Sequence, residues 1–289
     1  NGLQSYWKSN GNKVQEKNYI NGKQQGLWTL YYQETGIKKE ETNYIDGVQE
    51  GLWTEWYEDG QKRRERNFKN GERDSTWTTW YENGNKKFLA SYSDGKLNGK
   101  YIRWYEGGII KELDGEYLNN KKHKKWIYWS KNGQKTEEIN YDNGVHHGSH
   151  IKWFGEKSDQ HKKFHINYKN GDKDGNWRHW YSSGVDSLKA TYLNGEKDGH
   201  WIWWRKNGLK DKEGFYKKEK KHGLWTIWND STGSAYHKLH EETYVNDVID
   251  GKVTKWYKEG GLDRQGTMRG KEKEGEWTYW ERGGKRWLK

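Results

Sequence analysis

Histidines are concentrated in one part of the chain, since five of the eleven lie between residues 146 and 165. If a hairpin turn falls in the segment 155–160, His150 lies opposite His165, and His146 lies on the same strand face as His150. Imidazoles that converge in this way can bind Zn²⁺ or Ni²⁺. His146, His150 and His165 are therefore the candidate metal ligands. Because no Cys or carboxylate completes a known ligand spacing, solvated histidines are the simpler interpretation, and we predict no metal or other cofactor.

Tryptophan is the second residue type that could carry chemistry, because the chain has 21 Trp and 21 Tyr. Regularly spaced rings can stack on sugars or bases, and interleaved Lys and Arg favour anionic polymers. The same rings can instead pack on one another and replace an aliphatic core. We expect one aromatic face to be structural and the other to be available for binding. The candidate binding residues are Trp80, Trp104, Trp129, Trp153 and Trp180.

Carboxylates are abundant, but they alternate with Lys and Arg, as on a solvated β-sheet that protects its edges. A glycosidase needs two carboxylates at a defined separation in a cleft. The sequence also lacks Gly-x-Ser-x-Gly, phosphate-loop, His-Glu-x-x-His and dinucleotide-binding motifs. We therefore predict that the protein is not an enzyme.

The composition limits the kind of fold that can position these residues. Only 30% of the 289 residues are hydrophobic and 33% are charged, whereas ordinary globular domains are about 45–50% apolar. Disorder is excluded by the 16% aromatic content and the absence of Pro, because disordered chains are poor in aromatics and rich in Pro. The chain is thus expected to fold with thin, aromatic packing.

Charge and hydropathy bear on the partners and the compartment. The net charge of +11 permits acidic partners, but acidic and basic residues are interspersed without a basic stripe, which disfavours nucleic acid. No run approaches the roughly 18–20 apolar residues of a membrane span. The compartment is not defined by the sequence. The absence of Cys and an expected missing segment before Asn1 favour export or the cell surface.

Aromatic residues recur every 24 or 25 residues, with two longer steps, and such a period indicates a repeat array. A first register comprises Trp28, Trp53, Trp77, Tyr101, Trp126, His150, Trp177, Trp201, Trp225, Val253 and Trp277. A second register begins at Trp7 and continues three residues after each member of the first, with Tyr31, Trp56, Trp80, Trp104, Trp129, Trp153, Trp180, Trp204, Trp228, Trp256 and Trp280. A third register comprises Tyr19, Tyr44, Phe68, Tyr92, Tyr117, Tyr141, Tyr168, Tyr192, Tyr216, Tyr244 and Met268.

Asn-Gly and Asp-Gly dipeptides occur at two fixed places in each repeat. Asn21-Gly22 lies between repeats, and Asp59-Gly60 lies in the middle of one. Both central residues of a two-residue type I′ turn have φ > 0, which these dipeptides tolerate best, so they indicate β-hairpins. The segments between them are rich in Trp, Tyr, Thr and Ile and have no helical period, which favours strands.

The sequence therefore predicts an all-β fold, an elongated single-layer antiparallel β-meander of about twelve β-hairpin repeats of about 24 residues. We expect one continuous array over residues 1–289, with an incomplete first repeat and insertions near 155–160 and 229–236. Pairing about Asp59-Gly60 sets Trp56 opposite Arg63 and Trp53 opposite Arg66. Strand alternation then places Trp53 and Trp56 on opposite faces.

The repeat Asn-Gly-x-x-x-Gly-x-Trp-x-x-Trp-Tyr-x-x-x-Gly-x-x-Lys…Tyr resembles the MORN-repeat variant family. One copy is read as Asp46-Gly47, Gly51, Trp53, Trp56, Tyr57, Gly60, Lys62 and Phe68, and another as Asn170-Gly171, Gly175, Trp177, Trp180, Tyr181, Gly184 and Tyr192. The sixth repeat departs from the pattern, with Lys124 in place of the Gly that lies two residues before the first-register Trp. The resemblance covers nearly the whole chain and implies an extended sheet of hairpins. It also implies an interaction scaffold without a catalytic motif. Bacterial members are often labelled antitoxin-like, and classical MORN proteins are linked to phosphoinositide headgroups and protein assembly.

We predict a non-enzymatic repeat scaffold that mediates protein–protein interaction along an extended aromatic and charged surface. The alternative is a cell-surface module that binds glycans or anionic lipid headgroups. A third possibility is an antitoxin-like or fibre-forming structural protein that associates end to end through unpaired terminal strands. The expected partner is protein, with nucleic acid disfavoured.

Overall fold

The computed structural model describes residues 1–155, 161–229 and 235–288, and the regular secondary structure in these ranges is β-strand. The all-β prediction is confirmed. The predicted insertions near 155–160 and 229–236 lie largely outside the described residues. The chain divides into two compact units, Asn1–Val145 and His146–Lys289. The interpretation of residues 1–289 as one continuous array stays a prediction.

In the unit Asn1–Val145 successive long strands from β1 to β14 pair antiparallel, as a meander of hairpins requires. Two short strands, β3 and β6, are the first parts of strands that Gln25 and Glu50 interrupt. The strands are β1 (Gly2–Trp7), β2 (Lys13–Ile20), β3 (Lys23–Gln24), β4 (Gly26–Tyr31), β5 (Lys38–Ile45), β6 (Val48–Gln49), β7 (Gly51–Trp56), β8 (Lys62–Lys69), β9 (Glu72–Trp80), β10 (Lys86–Ser93), β11 (Lys96–Trp104), β12 (Lys111–Leu118), β13 (Lys121–Trp129) and β14 (Lys135–Asp142).

The unit His146–Lys289 has the same antiparallel pairing of successive strands. Short β19 again precedes an interrupted strand. The strands are β15 (Val145–Trp153), β16 (Lys162–Lys169), β17 (Asp172–Trp180), β18 (Asp186–Leu193), β19 (Glu196–Lys197), β20 (Gly199–Trp204), β21 (Lys210–Lys217), β22 (Lys220–Trp228), β23 (Lys238–Val245), β24 (Val248–Trp256), β25 (Leu262–Arg269), β26 (Glu272–Trp280) and β27 (Arg286–Leu288).

The two kinds of turn differ in structure. Between repeats, Asn21 and Gly22 have φ of 51° and 75°, so the predicted type I′ turn is confirmed there. In mid-repeat, the Tyr57 N–H donates to the Gln61 carbonyl at 2.8 Å and the Gly60 N–H donates to the Tyr57 carbonyl at 3.0 Å. Only Gly60 of the Asp59-Gly60 pair has positive φ, at 86°. This is a three-residue loop with a glycine bulge, so the type I′ prediction is wrong for mid-repeat turns.

The different turn changes the pairing next to it. Trp53 faces Arg66 as predicted, but Trp56 faces Lys62 and not Arg63, because the register shifts by one residue between Glu55 and Trp56. The shift recurs at the same place in the other hairpins except the last, where Tyr279 faces Trp287 and Trp280 faces Arg286 without a shift. In ten hairpins a basic residue faces the second-register ring, and Asp186 and Leu262 stand there in the remaining two.

A second backbone irregularity lies two residues before each first-register residue. Gly51, before Trp53, has φ of 77°. Lys124, before Trp126, keeps the same left-handed conformation with φ of 57°, as does Ser75 with φ of 56°. The position two residues before the first-register residue thus keeps its left-handed backbone where Gly is missing. This conformation is less favourable for Lys and Ser than for Gly, because they have a Cβ.

Alternation along the strands gives each unit two faces with different aromatic residues. The Trp–Tyr face carries the first and third registers. The Trp–Lys face carries the second register and the Lys residues opposite it. The most buried large side chains belong to the first register, with Trp126, Trp201 and Trp225 exposed by 2%, 4% and 5%.

Candidate functional site

On the Trp–Tyr face, first-register rings pack between third-register rings of neighbouring strands. The Trp28 ring lies 5.2 Å from that of Tyr19 and 5.1 Å from that of Tyr44, measured between centroids. Its indole N–H donates to the Asn18 carbonyl at 3.1 Å, ten residues earlier. The same donation is made by Trp77, Trp126, Trp201, Trp225 and Trp277. Since buried polar groups need partners, this bond fixes each ring against the preceding repeat.

The most deeply buried first-register rings lie close to the backbone of a neighbouring strand. A Cβ on Gly115 would lie 2.3 Å from the Trp126 ring, and a Cβ on Gly214 would lie 2.2 Å from the Trp225 ring. Only glycine admits the indole at these two positions. This face therefore supplies the core of a sheet that has little aliphatic material.

A column of cations lies on the same face, four residues before the first-register Trp. In one repeat, the Lys173 ammonium lies 4.1 Å from the Trp177 centroid and 4.9 Å from the Tyr192 centroid. We call this set the cation column; its members are Arg73, Lys122, Lys173, Lys197, Lys221 and Lys273. In the part of the chain that the structure describes, the one ion pair recorded for the column joins Lys197 to Glu219 at 3.1 Å.

The five Trp residues predicted to bind a partner lie on the Trp–Lys face, where each is half-buried. Trp80, Trp104 and Trp129 belong to the unit Asn1–Val145, and Trp153 and Trp180 to the unit His146–Lys289. Within a unit, successive members are two strands apart, which is about 10 Å. They face Lys86, Lys111, Lys135, Lys162 and Asp186, respectively.

Most Lys residues of the Trp–Lys face are neutralised within their own strand. Lys38 Nζ lies 2.5 Å from Glu41, three residues later, because the bulge brings both side chains to one face. The same spacing forms the pairs Lys13–Glu16, Lys62–Glu65, Lys111–Asp114, Lys135–Glu138, Lys210–Glu213 and Lys238–Glu241. In one repeat the signs are exchanged, and Asp186 lies 3.5 Å from Lys189. In this repeat the pair is kept although the order of the charges is reversed.

Tyrosine hydroxyls connect successive repeats. The Tyr57 hydroxyl donates to the Trp80 carbonyl at 2.9 Å, one repeat ahead. The same bond is made by Tyr32, Tyr81, Tyr105, Tyr181 and Tyr257. At the equivalent place, Arg205 donates to the Trp228 carbonyl at 2.8 Å. The Trp-Tyr dipeptide of the motif is thus a structural link between repeats.

The predicted arrangement of histidines is wrong, because the register differs by one residue. His150 faces Ile166, and His165 faces Ile151, so the two imidazoles project from opposite faces. The His146 and His150 rings lie 5.5 Å apart on one face, whereas His165 is 2.9 Å from the Ser149 hydroxyl on the other. Within residues 1–155, 161–229 and 235–288, no group of three or more His, Cys, Asp and Glu is placed to hold a metal ion.

Residues 49–70, 73–94 and 122–143 match the family model described as MORN repeat variant. These three segments are MORN repeats. Each of them carries both Trp registers and the third-register ring, as the resemblance required.

Comparison with solved structures finds a similar chain in the structure titled "Crystal Structure of TcdB2-TccC3-Cdc42". The two share 11% sequence identity with a TM-score of 0.20, over 98% of this chain. The match spans 16% of the other chain. Comparison with curated proteins finds no match. Among the described residues, no helix has the length and apolar character to cross a membrane.

Proposed function

We propose that this MORN-repeat protein is a non-catalytic scaffold that binds a partner protein along its aromatic and charged surface. The observation that supports the proposal is the different charge pairing of the two faces. Lys residues of the Trp–Lys face bind carboxylates of their own strand. The cation column lies on aromatic rings, with one recorded ion pair among the described residues. Such cations are available to carboxylates of another molecule.

The spacing of the cation column fits an extended acidic segment. Lys173, Lys197 and Lys221 follow one another at intervals of 24 residues, and successive members are two strands, or about 10 Å, apart. A segment in the extended polyproline II conformation advances about 3.1 Å per residue with three residues per turn, so an acidic side chain at every third residue matches this interval on one side. Repeat surfaces commonly serve extended recognition of this kind. The partner is therefore proposed to carry an acidic extended segment.

The half-buried Trp residues of the Trp–Lys face are proposed as a second set of contacts. Trp80, Trp104, Trp129, Trp153 and Trp180 each have a partly exposed ring. Because many of the Lys residues near this register are already ion-paired, these rings would contribute apolar contact more than charge attraction. The two sets of contacts therefore predict different salt dependence.

Affinity capture with the full chain tests the proposal. The test variant carries Lys173→Gln and Lys221→Gln on the Trp–Tyr face. The matched control carries Lys210→Gln and Lys238→Gln, which remove the same charge from the Trp–Lys face of the same unit. After identification by mass spectrometry, the captured protein is purified and its affinity measured at low and high salt. We expect about a tenfold loss or more for the test variant and little change for the control.

A third variant, with Trp104→Ala, Trp129→Ala and Trp153→Ala, tests the ring contacts after circular dichroism has shown that it folds. Its affinity loss should persist at high salt. Equal losses from both Lys variants would contradict the role of the cation column. Retention on glycan arrays or anionic vesicles, with no specific protein captured, would favour the surface-binding alternative. Sugar stacking resists salt, whereas headgroup binding does not.

A further inference from the structure

The Trp–Tyr face of residues 57–92 opens into a pocket of about 410 Å³. The pocket forms beside Thr79, where equivalent positions of other repeats carry the larger Arg103, Tyr128 and Trp203. A small side chain at this position therefore leaves space that other repeats fill. Its size lies in the range of small-molecule sites.

The wall of the pocket combines aromatic rings with cations. The rings that lie on this face belong to Tyr57, Trp77, Phe88 and Tyr92. The cations are Arg63, Arg64, Arg66 and Lys87. Aromatic walls favour a flat apolar group, and a concentration of guanidinium groups favours an oxyanion.

Arg66 is the most unusual of these cations. It faces the first-register Trp53, at a position where other repeats carry small residues such as Ala90 and Gly115. Its guanidinium carbon lies 4.6 Å from the Trp53 centroid and 4.8 Å from the Trp77 centroid, so the side chain is held between two indoles. Its Nε is buried without a hydrogen-bond partner. Burial, followed by the nearby Arg64, lowers the pKa of Arg66 from its usual value.

The charges at the pocket are not balanced. Arg63 and Arg64 share a single carboxylate, that of Glu55, at 3.0 Å and 3.1 Å. Across the residues that the structure describes, no ion pair is recorded for Arg66 or Lys87. Four lining cations are therefore matched by one carboxylate, which contacts two of them. This excess suits a dianion better than a single carboxylate.

We propose that this pocket binds a phosphate monoester carried on an aromatic ring. The phosphate oxygens accept from Arg64, Arg66 and Lys87, and the ring lies against Trp77 and Phe88. This chemistry is shared by small aryl phosphates and by the side chain of phosphotyrosine. The proposal does not depend on the cation column or on the scaffold function.

Isothermal titration of the full chain with phenyl phosphate, inorganic phosphate and phenol tests the proposal. Phenyl phosphate should bind at least tenfold more tightly than either inorganic phosphate or phenol, since it alone uses both the rings and the cations. Arg66→Gln should weaken phenyl phosphate binding about tenfold or more. Lys100→Gln is the matched control, because it removes an exposed cation that faces Glu116, outside the pocket and the cation column. This control should leave the affinity unchanged.

Thr79→Tyr keeps every charge and introduces the side chain that another repeat carries at position 128. It should fill the pocket and abolish phenyl phosphate binding in a folded protein, as checked by circular dichroism. This variant keeps the proposal testable if Arg66→Gln fails to fold.

Several results would overturn the proposal. Equal affinity for inorganic phosphate and phenyl phosphate would remove the role of the rings. Equal losses from Arg66→Gln and Lys100→Gln would show general charge attraction. Binding to vesicles of phosphatidylcholine and phosphatidylserine that does not depend on Arg66, with no binding of phenyl phosphate, would show the same. A short phosphotyrosine peptide distinguishes the two sources. Tighter binding of the peptide supports a site for a modified partner protein, and equal binding supports a site for a small aryl phosphate.

Discussion

The two faces of the sheet carry the same residue type at the same period, yet the environments differ. On the Trp–Tyr face, Trp126 is 2% exposed and donates its indole N–H to the Glu116 carbonyl. On the Trp–Lys face, Trp129 is half-buried opposite Lys135. The first environment is a core made of rings and backbone, and the second is a solvated surface of rings and ion pairs. A Trp that recurs at one period therefore has no fixed structural role, because the residues around it determine whether it is core or surface.

The charges of the two faces differ in a corresponding way. The Trp–Lys face pairs Lys38 with Glu41 within one strand. The Trp–Tyr face places Lys173 on Trp177 and Tyr192 rings instead. A face whose charges are already paired offers little to an acidic partner, whereas cations on rings keep their charge available.

The largest expected effect on stability comes from removing the buried ring of one repeat. Trp126→Ala should lower the free energy of unfolding by about 3–5 kcal/mol, because it empties a buried site and removes a hydrogen bond. Trp129→Ala should cost about 1–3 kcal/mol, since its ring is half-buried. Urea unfolding followed by circular dichroism measures both. Equal losses would contradict the assignment of the Trp–Tyr face as the core.

Gly115 supplies the control for that experiment. Gly115→Ala should destabilise the wild-type protein, since its Cβ would lie 2.3 Å from the Trp126 ring. In a Trp126→Ala background the same change should be tolerated, and the double-mutant cycle gives the coupling. A loss that is the same in both backgrounds would place the cause in the backbone rather than in the ring.

Acid should weaken the unit His146–Lys289 through partly buried imidazoles. Burial lowers the pKa of His179 from its usual 6.5, with smaller contributions from Lys173 and Lys163. Burial and Lys162 lower the pKa of His165 in the same way. The unfolded chain therefore binds more protons below about pH 6.5, so stability is present above this pH and is lost as the pH falls.

Thermal unfolding at about pH 7.5 and about pH 5 measures this effect. The melting temperature should fall on acidification, and it should fall less in His179→Tyr, which introduces the residue found at the equivalent position 128. His147→Gln, at an exposed site, is the control. An unchanged pH dependence in His179→Tyr would contradict the role of its burial.

A smaller effect concerns the backbone that positions the first-register ring. Lys124→Gly should stabilise the protein by about 0.5–1 kcal/mol, because Lys124 has φ of 57° whereas Gly51 relieves the same geometry in another repeat. The exposed Lys124–Glu116 ion pair that is lost contributes little. Lys125→Gly, which has ordinary backbone geometry, should be destabilising. Urea unfolding of both variants would refute the argument if Lys124→Gly were the less stable one.

The sequence predicted much of this fold because spacing alone carries the information. The period of the Trp registers and the Asn-Gly turns indicated hairpins, and Trp53 faces Arg66 as expected. The Asp59-Gly60 turn was not distinguished from Asn21-Gly22, because the same dipeptide types suit two loops that differ by one residue. That residue moved Trp56 onto Lys62, and a similar one-residue error put His165 on the wrong face.

The cation column had a sequence signal, since its members lie four residues before the first-register Trp. Lys173, Lys197 and Lys221 stand at regular intervals that could have been found with the Trp registers. Of these three, Lys197 alone has a recorded acidic partner among the described residues, Glu219. The sequence could not have shown this, because the pairing of a Lys depends on which face its neighbours reach. The pocket at Arg66 and Thr79 was also hidden, because it depends on the volume of one side chain relative to other repeats.

The smallest expected effect on stability concerns an ion pair of the Trp–Lys face. Lys38→Glu and Glu41→Lys should each cost about 0.2–1 kcal/mol, since each places like charges together in a partly exposed pair. The double variant should recover most of the loss, because the protein already holds Asp186 and Lys189 in the exchanged order. Urea unfolding of the four proteins gives the coupling energy.

The outcome of this cycle depends on what the face requires. If only the pair matters, the exchanged order is as stable as the original one. In the natural case, Arg178 also donates to both oxygens of Asp186, at 2.7 Å and 2.8 Å, whereas Thr29 stands at the equivalent place beside Glu41. A double variant that stays destabilised, and that recovers on Thr29→Arg, would show that the exchanged pair needs the Arg. The Trp–Lys face would then be a network of three charges, and not a row of independent pairs.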